Sequence, residues 1–427
     1  MHVWQAALTA FLVSCASATG PATTVMTVGA IMRSMRQLGL VAAVVVTLML
    51  VVSASVASPS TPSSSRSSSS NRLHATAAGA EQAQSVDSVH FLSSKVGWAS
   101  VGNSARLLMT TDGGAHWRDV SPPMLRRTGF GLTSGLVGAD FLSPTDFFVN
   151  AHGPGAGELL SVFLLHTKDG GSKWTEVGSF LSVLDEAWVS FVNDRQGWVA
   201  ISGGAAGGSS PVTIHTTSDG GAHWDVVARS TSLIGKPGTP DNPGGCHDTG
   251  LTWSGSLRTP DLWLTGGGNV MPCVWESTEG GRRWRIHRSL DPSAGWGGTA
   301  WPPVFSSESH GALAVWYGTP HDLVTAFYST TNGGASWVGH RAPSPKPELA
   351  DVVSPTTWFA ATGGTIYRTT DAGTSWSSTH VSLSFSNSEP SNAVDFVNAV
   401  DGWAVLGGTL WHTTDGGHIW VQEVLPT

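Results

Sequence analysis

Thr110-Thr111-Asp112-Gly113-Gly114-Ala115-His116-Trp117 decides the fold, because the same phrase returns six more times along the chain. The copies run from Thr167 to Trp174, Thr217 to Trp224, Ser277 to Trp284, Thr330 to Trp337, Thr369 to Trp376 and Thr413 to Trp420. A phrase that recurs every 39 to 60 residues marks a repeat architecture, in which each copy belongs to one supersecondary unit stacked on its neighbours. Asp-Gly-Gly is hairpin-turn chemistry: Gly reaches positive φ without a Cβ clash, and a short carboxylate accepts hydrogen bonds from turn amides. The Thr or Ser two positions before the acid can add a further local bond. The Trp five positions after it opens the next strand and can bury a large apolar face between neighbouring sheets. The acid position holds Asp112, Asp169, Asp219, Glu279, Asn332, Asp371 and Asp415, and Ala372 replaces the first Gly of the sixth copy. A position that accepts Glu and Asn does turn work rather than catalysis, so these residues and Trp117, Trp174, Trp224, Trp284, Trp337, Trp376 and Trp420 are expected to be structural.

A second phrase precedes each turn and completes the unit. In the last copy it reads Val394-Asp395-Phe396-Val397-Asn398, Asp401-Gly402-Trp403-Ala404-Val405, then Gly407-Gly408-Thr409-Leu410-Trp411-His412. That is strand, turn, strand, turn, strand, repeated turn, strand, or four short strands per unit. The first two strands recur as Phe91 to Trp98, Phe141 to Phe148, Phe191 to Trp198, Phe305 to Ala312 and Val352 to Phe359, with only the copy near Trp253 and Trp263 irregular. The expectation is an all-β chain, a seven-bladed β-propeller of four-stranded blades over residues 86–427.

Composition agrees with one large, turn-rich, aromatic-packed domain: 20 Trp, 52 Gly and 12% charged residues. A net charge of −8 with scattered Lys and Arg leaves no footprint for nucleic acid. A monomer without cofactor is expected. Residues 1–31 read as a doubtful upstream extension, because the better export signal begins at Met32. A basic segment, Met32-Arg33-Ser34-Met35-Arg36, an apolar run from Leu38 to Val56 and small residues at Ser55-Val56-Ala57 make 32–57 a signal peptide or a membrane anchor. Either way the propeller is expected outside the cytoplasm, and contact with a membrane only through that segment. Residues 58–85, rich in Ser and Ala, read as a flexible linker.

Cys246 and Cys273 both fall in the fourth unit, and in an oxidising compartment they are disulfide candidates. Such a bond would be worth on the order of 3 kcal/mol in the chain-entropy model, and two buried free thiols are the alternative. With His247 they make an incomplete ligand set, so no metal site is expected.

The turn between the first and second strands and the repeated turn between the third and fourth keep their length, and both belong to the same end of a blade. The other two connections vary in length, and variable loops on a repeated frame mark the binding face. That face, opposite the repeated turns, is expected to hold Trp296, Trp301, His247, Asp248, His310, His321 and Asp322. Trp can stack on a sugar or anchor a protein partner, or simply plug a loop onto its own core. The residue before each first-strand aromatic is His90, Asp140, Ser190, Thr252, Val304, Asp351 or Asp395, a polar position that reads either as channel lining or as a strand-end hydrogen bond.

The Thr-x-Asp-Gly-Gly-x-x-Trp phrase resembles the Asp-box, or bacterial neuraminidase repeat, of sialidases, other glycoside hydrolases, sortilin-type receptors and photosystem II assembly factors. Gly402-Trp403-Ala404-Val405 followed by Gly-Gly-Thr and Thr-Thr-Asp-Gly-Gly is most similar to the photosystem II assembly and stability factor family, over residues 86–427. That resemblance implies a noncatalytic scaffold for a protein or glycan ligand. The sialidase resemblance implies instead a Tyr nucleophile, a Glu partner, an Asp acid and three grouped arginines. The chain has three Tyr, and no arginine motif accompanies them. Tyr317, Glu308 and Asp322 are the weak catalytic candidates for an exo-sialidase-like hydrolase, which is the alternative function.

Overall fold

The computed structural model describes residues 84–427 apart from 134, 156–158, 183–186, 203–211, 230–246, 256–259, 269–271, 287–289, 291–297, 318–323, 344–348, 387–390 and 427. Residues 1–83, and with them the expected extension, signal or anchor and nearly all of the linker, lie outside the described residues. The remainder is an all-β propeller of antiparallel sheets. In the first unit Val86–Phe91, Gly97–Val101, Arg106–Thr110 and Arg118–Asp119 pair in chain order, and in the last Ala393–Phe396, Gly402–Leu406, Thr409–Thr413 and Val421–Glu423 do the same.

Sheet count corrects the expectation of seven separate four-stranded blades. The described strands form six sheets, because the fourth and fifth repeat units merge into one nine-stranded sheet. The join is made by glycines: Gly267 pairs with Thr299 and Gly268 with Gly298, where bare backbone lets Gly298–Ala300 approach Pro260–Gly268. Four strands per unit also fails three times: the fifth unit has five, since Gly298–Ala300 and Val304–Phe305 both pair with Gly311–Tyr317. The second unit has five, since its inner edge is split into Gly131–Leu132 and Ala139–Phe141. The sixth has three, because Trp358–Thr369 runs through Gly363 (φ 49°) without a break.

Packing is regular despite this. Seven apolar clusters each combine residues of two consecutive units, from Trp98 with Phe141 in the first and second to Phe359 with Phe396 in the sixth and seventh. The seventh cluster in the circle joins Val86, Phe91 and Val101 to Trp403, Val405 and Leu410, so the last unit packs on the first and the ring closes. Closure needs no exchanged strand, because each of the two terminal sheets is complete from its own contiguous residues.

The Phe and Gly-Trp pattern has a direct cause. Phe91 pairs with Gly97, and a Cβ on Gly97 would lie 2.3 Å from the Phe91 ring, so the inner-strand ring lies across a residue without a side chain. The same ring then stacks on the second strand of the preceding unit. Phe91 lies on Trp403 with centroids 3.4 Å apart, Phe191 on Phe148 at 3.7 Å and Phe396 on Phe359 at 3.5 Å, all within 8° of parallel. The Trp of the repeated turn stands edge-on to the ring of its own unit, as Trp117 does to Phe91 (84°) and Trp420 to Phe396 (84°). Such aromatic pairs add about 0.5–1.5 kcal/mol each to the burial of their surfaces.

The repeated turn owes its two glycines to backbone geometry and to its neighbours. Both stand at positive φ, for example Gly220 at 78° and Gly221 at 92°. A side chain at the first position meets mainly the carbonyl of the adjoining turn, and in the sixth unit Ala372 takes that place at φ 55°. An L-residue there costs about 1–2 kcal/mol, of which greater freedom of Gly in the unfolded chain returns about 0.4–1 kcal/mol. Ala372→Gly is therefore expected to raise stability by roughly 0.5–1 kcal/mol, read as a higher denaturant midpoint at unchanged slope.

Candidate functional site

Six of the seven turns are built alike. In the first, Thr110 Oγ1 donates to Asp112 Oδ1 (2.9 Å) and accepts the Gly114 N–H (2.9 Å), while Asp112 Oδ1 accepts the His116 N–H (2.9 Å). Asp169, Asp219, Asn332, Asp371 and Asp415 repeat this with Lys173, His223, Ser336, Ser375 and Ile419. Glu279, one carbon longer, reaches Arg283 Nε at 3.7 Å. The His116 ring and amide hold the Asp112 carboxyl down at about 2, and the Ser375 hydroxyl and amide do the same for Asp371. His223 likewise holds Asp219 well below the usual carboxylate range. These acids stay ionised and committed to turn donors.

The two constant turns meet at one end. The first glycine amide of the repeated turn donates to the turn between the first and second strands: Gly113 to Lys95, Gly170 to Thr145, Gly220 to Arg195, Gly333 to Ser309 and Gly416 to Val400, and in the sixth unit Ala372 to Thr356, at 2.8–3.0 Å. This end is closed by backbone bonds, and the variable connections lie at the other.

Several candidates fall elsewhere than expected. Glu308 and His310 belong to the constant turn whose Ser309 carbonyl receives Gly333, so they are exposed at the regular end and not on the variable face. Tyr317 ends the strand Gly311–Tyr317 toward the variable end but is buried, its hydroxyl 2.7 Å from that of Tyr328. Seven residues of strand separate it from the Glu308 turn, a span on the order of 20 Å, so the two cannot act on one bond. Trp301 is half-buried, packs edge-on against Trp316 with centroids 5.5 Å apart and donates its amide to Ala314, which makes it part of the core between the fifth and sixth units. His247 and Asp248 lie in a strand, His247–Gly255, paired with Gly267 and Gly266, not in a loop. Trp296, His321, Asp322 and Cys246 lie outside the described residues, as does the side chain of Cys273. No group of three His, Cys, Asp or Glu among the described residues is placed to hold a metal ion.

The polar position before the inner-strand aromatic supplies a contact between units. Asp395 Oδ2 accepts the Phe91 N–H (2.7 Å), Asp351 Oδ2 the Phe396 N–H (2.7 Å) and Asp140 Oδ2 the Phe191 N–H. Each carboxylate thus reaches the inner strand of the following unit, and the last reaches the first. Burial pushes Asp140 and Asp395 up to about 7, and burial with the neighbouring Asp395 charge pushes Asp351 up to about 8. Burial moves His90 the other way, down to about 4. His90 Nδ1 lies 4.0 Å from Asp395 Oδ2 and its ring stacks on Phe141. At Asp140, Asp351 and Asp395 the polar position noted in the sequence therefore makes a hydrogen bond across the seam.

No protein-family model matches the chain, and no curated protein matches it. Among solved structures it is similar to YCF48 bound to D1 peptide, at 14% identity over 81% of this chain and 95% of that one, with a TM-score of 0.47. It is similar to YCF48 from Cyanidioschyzon merolae at 16% identity over 82% and 97% of the two chains, TM-score 0.47. A GH74 enzyme from Niastella koreensis shares 16% identity over 79% of this chain and 56% of its own, TM-score 0.33. At these identities the likeness is one of fold.

Proposed function

We propose that this propeller is an exported, noncatalytic scaffold that captures a protein or glycan on the face opposite the repeated turns. The Thr-x-Asp-Gly-Gly-x-x-Trp phrase makes it an Asp-box protein in this reading, of the kind found in photosystem II assembly factors. The observation that carries the proposal is the backbone bonding of the two constant turns in six units, which closes one end and leaves the variable connections to make the other. The distance between Glu308 and the buried Tyr317 supports it, since a hydrolase needs its carboxyl and nucleophile around one bond. The signal or anchor at 32–57 supplies the location in this reading, and a monomer presents the face once.

Two measurements on the secreted chain test this. On a panel of aryl glycosides that includes the sialic acid conjugate, no turnover is expected, and Glu308→Gln and Tyr317→Phe should leave that result unchanged. Turnover abolished by either substitution would refute the scaffold reading. On arrays of glycans and of peptides, saturable binding is expected, and it should be lost when the connection between the strands Ser377–Phe385 and Ala393–Phe396 is shortened but kept when Lys173→Ala alters the regular end.

A further inference from the structure

We propose that the cleft at the seam between the last unit and the first is a subsite for one neutral sugar residue. The proposal rests on the scaffold reading above and narrows its ligand to a glycan. Three segments meet there at the variable end: Gln84 and Ser85 ahead of the first inner strand, the Gly407-Gly408 turn between Gly402–Leu406 and Thr409–Thr413, and Val424 and Leu425 after Val421–Glu423. They enclose about 180 Å³. That is several times the roughly 30 Å³ share of one water and below the roughly 300 Å³ at which sites for drug-sized ligands begin, so a single sugar ring is the fitting size. Gly408 stands at φ 74°, and a Cβ on it would lie 2.3 Å from Ser85 Oγ, so glycine is what lets that hydroxyl stand over the turn. Gly407 stands at φ 57° with nothing within 4 Å of the place its Cβ would take, which leaves the mouth open.

The chemistry of the lining selects the ligand. Backbone groups at the rim are already engaged: the Val86 N–H donates to the Gly408 carbonyl (2.9 Å), the Gly102 N–H to the Ser85 carbonyl (3.1 Å) and the Gly407 N–H to Asn392 Oδ1 (2.8 Å). Gln84 Oε1 is likewise held by Arg106 at 2.8 Å. The groups left over among the described residues are the hydroxyls of Ser85 and Thr409 and the amide of Gln422. Each residue brings both a donor and an acceptor, which matches sugar hydroxyls. A peptide strand would instead call for free main-chain groups along an edge. Beneath them Val86, Leu410 and Leu425 are buried and give an apolar floor to the C–H face of a ring. Glu423 lines the cleft and no Lys or Arg does, so a sugar bearing a carboxylate meets a like charge and no partner.

Methyl glycosides of glucose, galactose and mannose are titrated into the isotope-labelled full chain at up to about 20 mM, since a ligand this small binds in roughly the millimolar range. At least one is expected to shift the Gly407, Gly408 and Leu425 amides in a saturable way, and methyl glucuronide should not. Ser85→Ala and Thr409→Val each remove one hydroxyl without adding bulk, and each should weaken binding about fivefold while leaving the thermal midpoint in place. Shifts confined to the other variable connections would overturn the cleft and leave the scaffold reading standing. An equal response to the glucuronide would overturn the proposal, as would undiminished affinity in both variants. Silence toward all three neutral glycosides would overturn it too, and a peptide that shifts the same amides would then assign the cleft to a protein ligand. The scaffold reading falls with it only when the glycan and peptide arrays are silent as well.

Discussion

Trp403→Ala is expected to cost about 3–5 kcal/mol, the range for truncating a buried aromatic. The indole is fully buried, lies 3.4 Å from the Phe91 ring by centroid and stacks on His412 at 4.4 Å. It is the largest fully buried side chain of the cluster where the last unit meets the first, and no exchanged strand among the described residues backs it up. Thermal unfolding should drop by roughly 5–10 °C, and exchange should rise first at Val86, whose amide donates to the Gly408 carbonyl across the same seam. A truncation of equal size at Trp198, between the third and fourth units, should destabilise without that preference for the terminal seam. Equal loss of protection at Val86 in both variants would show that the ring has no preferred opening point.

Gly221→Ala should cost about 2–4 kcal/mol, although it adds a single methyl group. The backbone there has φ 92°, outside the ordinary range of an L-residue, and the new Cβ would stand 2.5 Å from the Val177 carbonyl oxygen and 2.8 Å from the Val177 Cβ. Both obstacles belong to the preceding unit, so the turn cannot relax without opening its seam. The contrast with Ala372 is instructive, since that residue shows the first position of the turn can carry a methyl group. The second glycine is kept in all seven turns, and denaturant midpoints of Gly221→Ala and Ala372→Gly should move in opposite directions.

Much of the fold was legible because each unit is local. The seven residues from Phe91 to Trp98, the turn from Thr110 to Trp117 and the short runs between them name their own strands, and tertiary contacts do not override them. What the pattern missed lies where backbone acts without side-chain signal. Gly267 and Gly268 join two units by pairing with Thr299 and Gly298, three glycines in four residues, and no hydrophobic period announces such a pairing. The sixth unit hides a turn inside one strand for a similar reason, Gly363 and Gly364 carrying no side chain to break the ladder.

Site placement was legible only in part. Glu308 and His310 sit in a Ser-rich stretch that reads as a loop, yet they follow Phe305 at the spacing of the constant turn, and that spacing was enough to put them at the regular end. The carboxylates were visible as a recurring polar position, but their partners are distant in sequence, Asp351 and Phe396 by 45 residues and Asp395 and Phe91 by 304. Period alone cannot tell a bond within a unit from one to the next. The depth of Tyr317 was hidden too, because its partner hydroxyl on Tyr328 is a long-range property of a folded strand pair.

The closure described above, in which neither terminal sheet borrows a strand among the described residues, makes the seam between the last unit and the first interchangeable with any other in the circle. Gln84 to Val86 and Gln422 to Leu425 line the same small cleft, so in a chain trimmed to begin at Gln84 a short linker could join them there. New ends could then be cut in an exposed connection between two units, such as Arg126 to Gly129, leaving every sheet whole. A chain rearranged in this way should fold to the same ring, with its point of first opening carried to the new cut. The terminal seam would become one packed contact among the others of the ring.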